Sequence, residues 1–176
     1  MAFVSYDAFE KKYPSGEMAE NIRRLKEMDS YHCLLAGGIR QMEIVKTMAP
    51  NLPKDFFSWL EVCDGGMLFD TALLTTSKYD PALDLNFDDY SIFMAQEIRL
   101  DNSISENWFV FARAIHSDIY FYDLSKKDGH IYQWDIESQQ LHQEWPSLAK
   151  WLAHRIDEAV ELIKDGFLDP MDIKFE

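Results

Sequence analysis

The sequence predicts an α+β domain in which an antiparallel β-meander packs against N-terminal helices and a long C-terminal helix. Three observations carry this prediction. Apolar residues recur at helical spacing in the first third of the chain and again near its end. Between these regions lies a series of short β-branched and aromatic runs separated by turn signals. The connections between the runs are too short for the crossovers that parallel strands need, so the sheet is expected to be antiparallel.

Three helices are predicted before the first strand. The first spans residues 17–29, because four apolar residues fall on one helical face there: Met18, Ile22, Leu25 and Met28. The second runs from about Ile39 to Met48 and stops before Pro50. The third begins at Pro53 and ends at Asp64-Gly65-Gly66, because glycine adopts the left-handed conformation that terminates helices. Its apolar stripe consists of Phe56, Trp59, Leu60 and Cys63.

The apolar period changes from helical to strand-like after Gly66. Residues 67–76 predict one strand, residues 77–90 a loop and residues 91–100 a short helix. The strands of the meander are predicted at 108–115, 119–123, 130–136 and 140–144. The final helix is predicted from Pro146 to Lys164. Its apolar face contains Leu148, Trp151, Leu152, Ile156, Ala159, Val160 and Ile163.

Length and composition favour a single domain over residues 1–176, with 1–38 as a helical N-terminal extension and 39–165 as the core. A chain of this size buries about 70% of the surface that it exposes when unfolded, so a core needs no metal or disulfide. The two cysteines, Cys33 and Cys63, are too few for a disulfide framework. The first residues do not resemble a secretory signal, and no apolar run approaches the ~20 residues that span a bilayer. We therefore expect a cytoplasmic protein.

The charge is strongly acidic and unevenly distributed. Asp and Glu number 31 against 17 Lys and Arg, for a net charge of −14. The first 50 residues are neutral, with seven acids and seven bases, so the whole excess lies in residues 51–176. Such a field repels nucleic acid and anionic membranes and speeds encounter with a basic protein. The alternative interpretation is that the charge serves only solubility.

Motifs for catalysis or cofactor binding are missing from the sequence, and we predict no catalytic residue, cofactor or metal. His116 and His130, with Asp118, are the best candidates for a metal site, but a zinc site needs three or four converging ligands. Ordinary strand-end histidines are the favoured interpretation. Cys63 lies on a buried stripe, which indicates packing rather than a nucleophile. Among the tryptophans, two fall on helix core stripes, Trp59 and Trp151, and two are candidates to face a partner, Trp134 and Trp145.

One stretch resembles a known family. Residues 51–66 (NLPKDFFSWLEVCDGG) resemble the signature of the SUKH superfamily, which is related to a yeast cell-wall-synthesis regulator and includes many bacterial immunity proteins. Asp64 stands where the family usually has Asn. Residues 109–124 are similar to the family's strand, turn and strand, with Ser117 where Gly is common, and residues 129–132 and 146–152 resemble the next strand and the terminal helix. The resemblance covers about residues 39–160.

The resemblance implies a binding scaffold without catalytic residues, and many members neutralise a co-encoded toxin, often a nuclease. The first hypothesis is therefore an immunity protein (an antitoxin) whose acidic, partly apolar face occludes the basic cleft of a toxin. Three aspartates of the predicted acidic loop are its candidate partner-binding residues: Asp84, Asp88 and Asp89. A regulatory or scaffold protein with a cellular protein partner is the second hypothesis. A hydrolase that uses His116 or His130 is the third, and the oligomeric state is left open.

Overall fold

The computed structural model of the protein describes residues 4–28, 33–37, 42–74, 76, 104–114 and 118–167. Within these residues the strands form one seven-stranded sheet in which they follow one another in chain order and every neighbouring pair is antiparallel. The strands are β1 (Cys33–Gly37), β2 (Cys63–Leu68), β3 (Thr71–Leu73), β4 (Trp108–Ala114), β5 (Ile119–Asp123), β6 (Ile131–Asp135) and β7 (Gln140–Trp145). This order confirms the predicted antiparallel meander and leaves β1 and β7 as the two edges.

Five helices lie within the described residues. They are α1 (Tyr6–Lys12), α2 (Glu17–Glu27), α3 (Met42–Met48), α4 (Lys54–Leu60) and α5 (Leu148–Lys164). The α+β class is confirmed, together with the long terminal helix. Ser147 caps α5, because its hydroxyl accepts a hydrogen bond from the backbone N–H of Lys150 at 3.2 Å. None of the described helices has the length and apolar character that a membrane span requires.

The main core lies between the sheet and the helices. Tyr120 of β5 packs against Trp151 of α5 with 5.4 Å between the ring centroids, and Tyr122 packs against Phe56 of α4 with 5.2 Å between the centroids. The ring centroid of Phe111 of β4 lies 5.3 Å from those of both Phe56 and Tyr122. Tilted and edge-on aromatic contacts of this kind add to the stabilisation that comes from burying the rings. Tyr120 and Tyr122 alternate with Phe121 along β5, so the two tyrosines lie together on the core face of the sheet.

The predicted end of α4 is wrong. The helix ends at Leu60, and Asp64-Gly65-Gly66 lie inside β2 together with Cys63. Gly65 and Gly66 have φ angles of 90° and 125°, which side chains rarely tolerate. The buried Asp64 carboxylate accepts hydrogen bonds from the backbone N–H and the hydroxyl of Thr76, both at 2.7 Å. Asp64-Gly65-Gly66 therefore give β2 an irregular backbone, and Asp64 anchors Thr76 in the segment that follows β3.

The single strand predicted over residues 67–76 is a hairpin. β2 ends at Leu68, and the chain turns at Phe69 and Asp70 before β3 begins at Thr71. Phe69 has a φ of 58°, a left-handed conformation that is unusual for a bulky residue. A single aspartate beside a phenylalanine is a weak turn signal, because bulky residues seldom adopt this conformation, so the sequence pattern does not indicate the turn.

The N-terminal region is not purely helical. The predicted extension over residues 1–38 contains β1, which pairs with β2 at one edge of the sheet. The region also supplies part of the core through Phe9, Ile22 and Leu25. A five-residue strand flanked by helices leaves little periodic signal, so the sequence pattern did not show it. The loop and helix predicted for residues 77–100 lie outside the described residues.

Candidate interaction surface

The sheet face opposite Tyr120 and Tyr122 carries a second cluster of rings. Trp108 of β4 stacks on Phe121 of β5 with centroids 3.9 Å apart, and Tyr132 of β6 stacks on Phe121 at 5.6 Å. Trp134 of β6 meets Trp108 edge-on at 5.2 Å. Leu141 of β7 lies directly opposite Trp134 in the strand pairing, so it shares this face. We call these five residues the aromatic face.

The exposure of the aromatic face is lowest at its centre, Phe121 and Tyr132, and highest on β7. Phe121 is only 1% exposed and Tyr132 is buried as well, whereas Trp108 and Trp134 are half-buried. Leu141 is 51% exposed. One large ring, Trp134, and one aliphatic side chain, Leu141, are therefore partly open to solvent at the β6–β7 end of the sheet. Contiguous apolar surface of this kind is typical of sites that bind another molecule.

Polar groups border the aromatic face. The Lys126 ammonium lies 3.9 Å from the centroid of the Tyr132 ring, a cation–π contact. The Tyr132 hydroxyl donates a hydrogen bond to the Asp128 carboxylate at 2.7 Å. On β7, Glu144 faces Tyr132 in the register and contacts the His130 ring.

Burial and hydrogen bonding shift the pKa values of two of these polar groups, Tyr132 and Asp128. Burial, followed by the hydrogen bond to Asp128, raises the pKa of Tyr132, so its hydroxyl stays a donor at neutral pH. Burial alone would raise the pKa of Asp128, but hydrogen bonds from the backbone N–H of His130 and from Tyr132 outweigh it and lower that pKa. The Asp128 carboxyl group is therefore ionised in the folded protein at neutral pH.

The residues weighed as a metal or catalytic site do not converge in the described part of the chain. His130 contacts Glu144, and Asp118 accepts a hydrogen bond from the Gln133 side chain at 2.6 Å. His116, the third member of the set, lies outside the described residues. Among the residues that are described, no three His, Cys, Asp or Glu side chains are grouped as metal ligands would be. Cys63 is buried, and its thiol donates to the carbonyl of Gly65 at 3.4 Å.

A second concave region lies along the outer side of α5. An open groove of about 650 Å³ is bordered by Asp70 and by several charged residues of the helix. Arg155 is 8% exposed and forms ion pairs there with both Asp70 and Glu158. These carboxylates already balance a buried cation, so the groove is explained by the contact between α5 and the β2–β3 turn.

The division of the tryptophans into buried and partly exposed residues differs in part from the prediction. Trp59 and Trp151 are buried in the core, as predicted, and Trp134 is half-exposed on the aromatic face. The prediction for Trp145 is wrong, because this residue is buried against Tyr120 and His154. Sequence reasoning assigned no face to Trp108. The alternation of β4 and β5 was the signal available, but it needed the strand register to be read.

The predicted partner-binding residues are not among these groups. Asp84, Asp88 and Asp89 lie outside the described residues, so their relation to the aromatic face stays a prediction.

The comparison with protein families places this surface inside a known fold. The sequence matches the model of the SMI1 / KNR4 family (SUKH-1) over residues 43–154, which is more than half of the chain. The matched range extends from α3 into α5 and contains the whole aromatic face, whereas α1, α2 and β1 lie before it. No curated protein matches the chain.

Proposed function

This chain belongs to the SMI1 / KNR4 family (SUKH-1), and from that premise we propose that it binds and neutralises a cognate toxin as an immunity protein. At the level of the family, membership supports a protein-interaction module of the immunity type. The partner in this proposal is a toxin, and the protein acts on it in the cytoplasm. The proposed role requires binding alone and no catalysis.

The aromatic face is the observation that carries the proposal. Trp134 and Leu141 lie opposite each other, and both have surface open to solvent, while Phe121 and Tyr132 beneath and beside them are buried. Tryptophan is among the residues that most often dominate binding energy at protein interfaces, since it buries a large rigid surface at little entropic cost. A rigid β-sheet holds both side chains in place before the partner arrives, which lowers the cost of association.

The charge supports a basic partner. The net charge of −14 speeds the approach of a cationic protein, and the excess lies in the same part of the chain as the aromatic face. An enzyme that acts on nucleic acid carries a basic cleft for the phosphate backbone. An acidic protein that occupies such a cleft excludes the substrate by both charge and volume.

The test is binding to the product of the adjacent gene, measured by calorimetry with three single variants. We expect Trp134→Ala and Leu141→Ala each to weaken binding about 10- to 30-fold, because they remove apolar contact at the centre of the interface. Ile44→Ala is the matched control for Leu141→Ala, since Ile44 is 46% exposed and lies on helix α3 rather than on the sheet. We expect it to bind within about twofold of the wild type.

Two outcomes would count against different parts of the proposal. An adjacent gene product that neither binds the wild-type chain nor loses toxicity when co-expressed with it would contradict the immunity role. Tight binding that Trp134→Ala and Leu141→Ala leave unchanged would keep that role and remove the aromatic face from the interface.

A further inference from the structure

The two edge strands of the sheet, β1 and β7, differ in how far other segments of the chain pair with them. At the β1 edge, the carbonyl of Leu35 accepts a hydrogen bond from the backbone N–H of Val4 at 2.9 Å, so the N-terminal segment covers part of that edge. At the other edge, β7 pairs only with β6 among the described residues. Its first five residues, 140–144, are all exposed, and only Trp145 turns into the core. Within the described residues, one edge is therefore partly covered and the other is open.

The open edge lacks the two residue types, lysine and proline, that most often protect an edge strand. Proteins commonly block an edge strand with lysine or proline, because its unpaired N–H and C=O groups otherwise bind another strand. The sequence of β7, QLHQEW, contains neither residue. His142 is an extra residue in the pairing, since Gln143 and Leu141 face the consecutive residues Gln133 and Trp134. This bulge limits pairing at the centre of β7 and leaves regular strand at Gln143–Trp145.

Acidic residues predominate in the sequence around β7. Residues 128–149 contain four acids and no lysine or arginine: Asp128, Asp135, Glu137 and Glu144. Lys126 adds one cation over the Tyr132 ring, so a strand that pairs with β7 meets charge that is mainly negative. A second copy of this chain would bring the same acidic edge and a further net charge of −14 against it, which opposes pairing of two β7 strands.

We propose that β7 is the docking edge for an extended basic segment of the protein partner, which adds an eighth strand to the sheet. The inference rests on the proposed protein-binding function and specifies how the partner is held. Backbone hydrogen bonds to β7 supply affinity, and alternate side chains supply specificity. Leu141 and Glu144 face Trp134 and Tyr132 in the register, so both lie on the side of the aromatic face. The incoming strand is expected to carry apolar and basic residues on that side.

The first experiment uses the full wild-type chain and a synthetic probe, a seven-residue peptide with blocked ends in which lysine and valine alternate along one face of the strand and threonine fills the positions between them. A peptide with glutamate in place of lysine is the control. The ¹⁵N-labelled protein is titrated with each peptide, and amide shifts and amide hydrogen exchange are followed. We expect the lysine peptide to shift and protect every second amide in Gln143–Trp145, and to bind at least ten times more tightly than the glutamate peptide. A higher salt concentration should weaken the binding of the lysine peptide.

The second experiment uses a pair of proline variants, Gln143→Pro and Glu144→Pro. Amide groups alternate in direction along a strand, so one of these substitutions removes a hydrogen bond to β6 and the other removes an outward donor. We expect one variant to keep the wild-type thermal midpoint and yet bind the lysine peptide, and the adjacent gene product, at least tenfold more weakly. If both prolines unfold the protein, the amide mapping on the wild-type chain decides the inference alone.

The two experiments distinguish failure of docking at β7 from failure of the proposed immunity function. Peptide shifts that fall outside β7, no shifts at all, or concentration-dependent dimerisation through β7 would overturn the inference. A folded outward-proline variant that binds the adjacent gene product as tightly as the wild type would overturn it while leaving the immunity function intact. Failure of the function shows differently, because the adjacent gene product would then not bind even the wild-type chain.

Discussion

The ring of Trp108 lies almost parallel to the ring of Phe121, with an angle of 18° between their planes and 3.9 Å between their centroids. Trp108 is the first residue of β4, and Phe121 is in the middle of β5. The half-buried tryptophan contributes to covering a phenylalanine that is 1% exposed. The same side chain therefore helps complete the packing of the sheet and contributes surface to the aromatic face.

The first prediction concerns the stability that this contact provides. Trp108→Ala uncovers part of Phe121 and removes the edge contact with Trp134, so we expect the free energy of unfolding to fall by about 2–3 kcal/mol. Urea denaturation measures the change. Phe167→Ala is the control, because Phe167 is 80% exposed, and we expect its effect to stay within about 0.5 kcal/mol. Equal effects of the two variants would contradict the packing role of Trp108.

The second prediction compares two buried tyrosines. The Tyr122 hydroxyl is buried without a hydrogen-bond partner among the described residues, whereas the Tyr132 hydroxyl donates to Asp128. Tyr122→Phe removes an unsatisfied polar group, so we expect stability to stay equal or rise by up to about 1 kcal/mol. Tyr132→Phe removes a charge-assisted hydrogen bond and should lower stability by about 1–2 kcal/mol. Thermal and urea denaturation rank the two variants, and the reverse ranking would refute the assignment of partners.

The third prediction is a pH dependence that arises from Asp128. Its folded-state pKa lies below the ordinary value of 3.8, so the ionised carboxylate stabilises the folded state above that pH. The contribution is lost as the pH falls through the lowered folded-state pKa. Because Asp128 is exposed, we expect Asp128→Asn to lower stability at pH 7 by no more than about 1 kcal/mol.

Denaturation at pH 7 and pH 3 checks this expectation. The difference between the wild type and Asp128→Asn should shrink at the lower pH, because protonation removes the same charge that the substitution removes. Asp165→Asn, at an exposed position after α5, is the control. A difference between the wild type and Asp128→Asn that grows toward pH 3 would contradict the predicted sign.

The fourth prediction concerns the acidic segment between β3 and β4. Reversal of Asp84, Asp88 and Asp89 to lysine is expected to slow association with a basic partner about tenfold more than a matched reversal elsewhere. The matched set is three exposed acids, Asp7, Glu27 and Asp165, which change the net charge by the same amount. Stopped-flow association at low and high salt measures the rates. Equal slowing by both sets would assign steering to net charge alone and remove these aspartates from the binding surface.

Elements with a strong local signal were predictable from the sequence. α2 and α5 have long apolar stripes, and β5 lies between clear turn signals, so their positions follow from periodicity. The hairpin at Phe69-Asp70 and the strand β1 were not predictable in this way. The hairpin turn has Asp70 as its one common turn residue and a bulky Phe69 in the left-handed conformation, and β1 is held by pairing with β2, about 30 residues away in the sequence.

The candidate site divides in the same way. The sequence identified Trp134 as a residue that is free to face a partner, but it placed Trp145 in the same class. The register of β6 and β7 separates them, because Trp145 faces Ile131 beside α5 and Trp134 faces Leu141 on the other side. A single extra residue, His142, sets this register, and no periodic pattern within β7 reveals it.

The sequence by itself determined the α+β class, the antiparallel meander, the long terminal helix and the acidic charge of this protein. These properties depend on composition, on periodicity and on connection length, all of which are local. The tertiary structure alone decided that Trp108, Phe121, Tyr132, Trp134 and Leu141 form one face. It also decided that, in the part of the chain that the structure describes, β7 is an open edge while β1 is partly covered. Both depend on which strands pair and in what register, and pairing joins residues that are distant along the chain.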